Sequence, residues 1–298
     1  MPILVAALLF VCRVAGQSQP GFAVNFVVPA GSSNVDGNTY SGAGPAVNQP
    51  QTIRYQQVYA ASEFAYLTNI GGGWLFDLVF RGDATNGTQV FVEMPSVQVN
   101  VSTTQRGPDQ LSSVFSENLG PDDTIVRTGS LEQLLIGGHR DGPETWGFII
   151  GFSRLFFYNP AAGNLLLDVR IFQGNTNGIG IVQPVFDAVN DTNDSVSRVW
   201  GEVNASTGLV DTVGLPTWLF FWPNPKLLIQ QQTNFVDLLW PANPTSFVFQ
   251  ASQNLASQTQ WLAITNGIVR SNAVNTYKIS LDSAVAAAYF RLVSTTPP

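Results

Sequence analysis

Side chains that change character at every second residue constrain this chain more than any motif in it, and Trp146 to Phe172 shows the pattern most fully. From Leu165 to Phe172, an extended backbone puts Leu165, Leu167, Val169 and Ile171 on one face. Leu166, Asp168, Arg170 and Phe172 fall on the other. Before this arm lie an apolar run, Phe148 to Tyr158, and the turn-forming Asn159-Pro160-Ala161-Ala162-Gly163-Asn164. Pro160 presets φ, Asn159 can bond the backbone beyond it, and Gly163 can take positive φ. The spacing predicts a hairpin at the centre of a large antiparallel sheet. Asp168 and Arg170, two residues apart on one face, are expected to offset each other's partial burial.

The same period recurs along the chain. Val24, Phe26 and Val28 alternate, Ile53 to Tyr59 is rich in strand formers, and Val97, Val99 and Val101 oppose Gln98, Asn100 and Ser102. In Trp74 to Arg81, Trp74, Phe76, Leu78 and Phe80 oppose Leu75, Asp77, Val79 and Arg81, so the first set is expected to face inward. Val196 to Val203 and Leu209 to Val213 read as a second hairpin. Ser112 to Leu119 and Leu131 to Ile136 are the short helix candidates. This pattern predicts an all-β fold whose larger part, residues 17–222, is an antiparallel β-sandwich of jelly-roll type. Pro216, Pro223 and Pro225 mark a boundary. Residues 223–298, with Trp240, Trp261 and Phe290 as expected core plugs, read as a small fibronectin III- or immunoglobulin-like sandwich.

Hydrophobic residues make up 45% of the chain and charged residues 11%, so Asn, Gln, Ser, Thr and Gly must cover its surface, as is common outside cells. A net charge of −7 with two lysines, Lys226 and Lys278, supplies no basic stripe for phosphates, which argues against nucleic acid. Residues 1–16 read as a signal peptide. Ile3 to Val11 form its apolar core, and Val14-Ala15-Gly16 puts small residues before a cut at Gln17. Removing it would remove Cys12, the sole cysteine. No later segment approaches the ~20 apolar residues of a membrane span. The expected location is extracellular or on the cell surface.

Further stretches carry a likeness. Arg54-Tyr55-Gln56-Gln57-Val58-Tyr59, Leu78-Val79-Phe80-Arg81, Pro108-Asp109-Gln110-Leu111-Ser112 and Tyr158 to Asp168 resemble a group of uncharacterised secreted bacterial β-sandwich proteins, often associated with exosortase (PEP-CTERM-type) sorting. Leu238-Leu239-Trp240-Pro241, Phe247 to Ser252, Trp261 and Phe290-Arg291-Leu292 look like small terminal sandwich modules of such proteins. The resemblance implies fold and export but assigns no catalytic residue.

Chemistry is sparse. His139 is the only histidine, and no Gly-x-Ser-x-Gly elbow accompanies it, so no nucleophilic triad around Ser112 or Ser113 is read. Imidazole- or thiolate-based zinc is excluded by count. Asp187, Asp191 and Asp194 concentrate hard oxygen ligands in one loop, a candidate structural Ca²⁺ site, although such loops also serve as plain turns. Trp218 and Trp222, in the densest aromatic cluster, are candidates for stacking on a glycan; the alternative is a last strand whose rings pack within the protein. No acidic cluster marks a glycosidase. The expected role is therefore non-enzymatic, as a structural or adhesion component that contacts a surface protein or a glycan. The alternative is a carbohydrate-binding or carbohydrate-cleaving jelly roll.

Overall fold

Alternation becomes strand along most of the chain. The computed structural model describes residues 23–47, 51–83, 90–135, 143–175, 184–224, 226–241, 247–253, 260–271, 274–280 and 288–294. They belong to two compact units, one spanning Ala23–Asn224 and one beginning at Pro225. The amino-terminal residues read as a signal peptide, Cys12 and His139 lie outside the described residues.

The first unit contains β1 (Val24–Val28), β2 (Thr39–Ser41), β3 (Ile53–Tyr59), the short helix α1 (Ala65–Ile70), β4 (Gly73–Arg81), β5 (Val90–Thr104) and β6 (Thr124–Leu135). There follow β7 (Trp146–Tyr158), β8 (Asn164–Gln173), β9 (Phe186–Asn190), β10 (Val196–Gly201), β11 (Leu209–Asp211), β12 (Val213–Gly214) and β13 (Thr217–Pro223). One sheet runs β1-β13-β4-β7 and a second β11-β10-β3-β8-β5-β6, with every pairing antiparallel. Omitting β2 and β9–β12 and renumbering the remaining strands one to eight gives the orders 1-8-3-6 and 2-7-4-5. That is the double Greek key of a jelly roll. A third sheet, β12-β9-β2, supplies Phe186 and Ala188 to the core.

The core lies between the two large sheets. Leu75, Leu78 and Phe80 from β4, Phe148 and Ile150 from β7, and Leu219 and Phe221 from β13 meet Tyr55, Val99, Val101, Leu167, Val169 and Ile171 from the opposite sheet. Phe64 touches Phe26, Tyr158 and Phe221 edge-on, with ring centroids 5.2–5.7 Å apart. At this size, apolar burial of that extent is the main source of stability.

Several expectations change here. β7 and β8 do not pair with each other: β7 lies against β4 and β8 between β3 and β5. The turn is an arch from one sheet to the other. Its local chemistry is as expected, with Asn159 Oδ1 accepting from Ala161 N at 3.1 Å and Gly163 at φ +151°. The strands separate because each has an apolar face that the other sheet, not the other arm, covers. In β4, Phe76 is an extra residue against β13. This bulge puts Leu75, Leu78 and Phe80 in the core and turns Trp74 and Phe76 away from it. Leu131 to Leu135 is strand, and only Phe115–Glu117 of the other helix candidate is helical, as a 3-10 turn. The hairpin of β10 with β11 forms as expected.

The second unit contains β14 (Leu228–Gln231), β15 (Phe235–Pro241), β16 (Phe247–Ser252), β17 (Leu262–Ala263), β18 (Ile268–Ser271), β19 (Val274–Ser280) and β20 (Tyr289–Ser294). Sheet β14-β15-β19-β18 faces sheet β17-β16-β20. Trp240 stacks on Phe249 at 4.4 Å, and Phe249 on Phe290 at 5.6 Å. Trp261 is not in this core; its ring carries the Arg291 guanidinium at 4.2 Å, and Phe249 is buried in the core with Leu238 and Trp240.

Candidate functional site

The outer faces of the two large sheets of the first unit differ sharply. Over the six-stranded sheet, the segment from Gln105 to Asp123 folds back, and Leu111 and Phe115 bury Val58, Leu166 and Val199. Beside them sits a polar cluster centred on Asp168. Its carboxylate accepts from Arg54 Nε at 3.1 Å, Arg54 Nη2 at 2.5 Å and Gln56 Nε2 at 3.0 Å. Arg170, the partner expected from sequence, is more distant at 3.5 Å. Arg54 also lies 4.6 Å above the Phe115 ring. This face is covered over Val58, Leu166 and Val199, where Arg54 and Gln56 take up the Asp168 carboxylate, while Phe172 farther along β8 is 41% exposed.

The outer face of the four-stranded sheet is aromatic. Alternation in β13 sends Leu219 and Phe221 inward, and Trp218, Phe220 and Trp222 outward. The β4 bulge sends Trp74 and Phe76 to the same side. Trp222 stacks on Phe76 at 4.8 Å and 18°, Trp218 lies 4.7 Å from Phe220 and 6.0 Å from Trp146, and Trp74 meets Phe157 at 5.1 Å. Asn25 Oδ1 accepts from the Trp218 indole at 3.0 Å. Within this row Asp77 stands opposite Phe220 and Gly151. Burial pushes its carboxyl above the usual range, partly offset by the Leu78 N–H, and its Oδ1 has no hydrogen-bond partner among the described residues.

Trp218 and Trp222 therefore share one face, as the sequence suggested, but within a longer row. Trp222 turns a ring face to Phe76, so the row presents apolar ring surfaces rather than two free indole platforms. No single-sequence signal could have added Trp74 and Phe76, because strict alternation puts them inside.

A cleft of about 550 Å³ opens at the ends of β3 and β10. Val47, Gln51, Thr52, Ile53, Trp200 and Glu202 line it. Thr52 Oγ1 donates to Glu202 Oε2 at 3.3 Å, and Trp200 Nε1 to Asp211 at 3.3 Å. Glu202 is the only carboxylate among the described lining residues, whereas glycoside hydrolysis needs a pair across a groove. The cleft has the makings of a binding site, with one indole, one amide, one hydroxyl and one acid. No protein-family model and no curated protein sequence matches the chain.

The acidic loop is divided. Asp187 is buried, its Oδ2 2.7 Å from Arg81 and its Oδ1 accepting from Gly37 N at 2.7 Å. It serves that ion pair rather than joining Asp191 and Asp194. Asp194 Oδ1 accepts from Val196 N at 2.9 Å, and Asp191 Oδ2 from Asn38 at 3.5 Å. Burial, with the charges of Asp109, Asp191 and Glu63 adding to it, raises the Asp194 carboxyl to about 6. Among the described residues no group of three or more His, Cys, Asp or Glu side chains is arranged to hold a metal ion. Ser112 donates to Glu117 at 2.7 Å and accepts from Val114 N at 3.1 Å, which is turn capping rather than nucleophile activation.

Proposed function

We propose that this is a non-enzymatic protein that works outside the cell as an adhesion or binding component, with the aromatic outer face of the β1-β13-β4-β7 sheet as its contact surface. The observation that carries the reading is that row of rings, Trp146, Trp218, Phe220, Phe76 and Trp222, half-buried on a sheet face that soluble sandwiches ordinarily cover with polar side chains. The signal-like amino-terminal sequence and the scarcity of charge support an extracellular site of action. No helix of the described residues is long and apolar enough to cross a membrane.

A second reading, carbohydrate binding, is favoured by the cleft at Trp200 and Glu202, where an indole and hydrogen-bonding groups converge. One experiment separates the readings. The protein and its Trp218→Ala/Trp222→Ala and Trp200→Ala forms are screened on a glycan array and on extracellular matrix proteins, with reducing-sugar release assayed in parallel. Loss of matrix binding in the β13 double variant alone supports the leading reading. Glycan binding lost with Trp200→Ala favours the second, and release of sugar overturns the non-enzymatic assignment.

A further inference from the structure

Three times among its described residues the first unit builds the same small assembly: an aspartate, an arginine paired with it, and an aromatic ring under the guanidinium. Arg54 pairs with Asp168 and lies 4.6 Å from the centre of the Phe115 ring. Arg81 pairs with Asp187 at 4.9 Å from Trp146, and Arg198 with Asp211 at 6.0 Å from Trp200. A flat guanidinium suits both neighbours, since it donates to a carboxylate in its plane and stacks on a ring with its face.

A fourth aspartate has the rings without the arginine. Asp77 stands opposite Phe220 on β13 and Gly151 on β7, so the three share the outer face of the sheet. Phe76 precedes it in the β4 bulge, and the Phe220 ring lies 6.2 Å from Phe76 and 4.7 Å from Trp218. Asp77 makes no ion pair among the described residues, and its Oδ1 is shut off from water without a hydrogen-bond partner. Taking a carboxylate partly out of water with no cation nearby is unfavourable, and a cation beside it offsets that effect. Room exists on the β7 side, where a Cβ on Gly151 would meet no heavy atom within 4 Å.

We infer that Asp77, flanked by Phe220 and Phe76, receives an arginine side chain of a partner protein that enters over Gly151. The inference rests on the reading of this face as the contact surface and names the chemistry of what it contacts. A net charge of −7 favours a basic partner. The chain's own arginines are largely engaged. Besides the three above, Arg170 meets Asp168, Arg106 meets Glu117, Arg127 donates to Gly151 O and Ser130 O, and Arg291 lies on Trp261. Arg154 and Arg270 remain among the described residues.

The test titrates the full chain with N-acetylarginine methylamide and follows the tryptophan indole N–H signals by NMR, with the citrulline and lysine analogues as controls. Saturable shifts at Trp218 and Trp222 are expected with arginine, at a dissociation constant on the order of 1 mM. Asp77→Asn keeps the side-chain shape and is expected to weaken binding about tenfold or more, and Phe220→Leu, which keeps the charge but removes a ring, about threefold. Unchanged affinity in Asp77→Asn overturns the inference, as does equal binding of the citrulline or lysine analogue. The Arg140→Gln/Arg154→Gln/Arg270→Gln form is expected to bind as the native chain does. Binding seen only in that form shows the position to be filled by this chain's own arginine and overturns the partner; no saturable shift in either form does so as well. On matrix proteins, Asp77→Asn is expected to lose binding along with Trp218→Ala/Trp222→Ala. Loss in the tryptophan variant with full retention in Asp77→Asn keeps the contact face and overturns the arginine.

Discussion

At the scale of single residues, the polar groups of the first unit are engaged mainly in holding it together. Asp168 is 1% exposed at its side chain and depends on Arg54, so Arg54→Ala leaves a buried charge without its principal partner and is expected to cost about 3–5 kcal/mol. The double replacement Arg54→Leu/Asp168→Leu is expected to recover most of that loss in urea denaturation. A double variant as unstable as the single one would show the pair to be worth more than an apolar contact. Asp194 behaves in the opposite sense. Its folded carboxyl titrates near 6 against an ordinary value of 3.8, so between these the folded state binds more protons and stability falls as pH rises. Asp194→Asn keeps an oxygen for Val196 N and is expected to be more stable than the native chain at about pH 7.5, the advantage fading below about pH 4. Denaturation at both pH values checks this; an equal gain at each would show that charge is not the cause. The Asp168 partner was half legible, since the sequence offered Arg170 on the same strand but not Arg54 on the next.

Among the elements, the β7–β8 arch shows where local pattern stops being informative. Asn159, Pro160 and Gly163 specify a reversal of direction, and a hairpin and an arch use the same residues for it. Which one forms depends on whether the arms bury their apolar faces beside each other or across the core, and both β7 and β8 are central to the core here. Gly163 is fixed twice over, by φ +151° and by Thr104 O, which lies 2.5 Å from where a Cβ would stand. Gly163→Ala is therefore expected to destabilise by about 2–3 kcal/mol, measurable as a shift in the denaturation midpoint. A neutral result would show that the arch relaxes freely. The β4 bulge is the other element-scale decision. One extra residue reverses the facing of Trp74 and Phe76, and through them it builds the aromatic row around Trp218 and Trp222.

For the whole molecule, the two units are unequal. Leu238, Trp240 and Phe249 are the buried apolar side chains described in the second, against an extensive cluster between two large sheets in the first. Heating is expected to give two transitions, the earlier belonging to the second unit, with amides of β15 and β19 exchanging sooner than those of β3, β5 and β8. A single cooperative transition with uniform exchange would contradict this. The amino-acid sequence by itself determined that the chain is built of strands, since side-chain alternation follows from the geometry of an extended backbone. It also pointed to an all-β sandwich in two parts, because alternating runs separated by frequent turn signals leave stacked antiparallel sheets as the way to cover their apolar faces. Only the tertiary structure decided which arm joins which sheet, where a bulge exchanges inside for outside, which arginine meets Asp168, and that Asp187 belongs to Arg81. These depend on contacts between residues far apart in the chain, where the choice is made by which arrangement buries the most apolar surface and leaves the fewest charges alone.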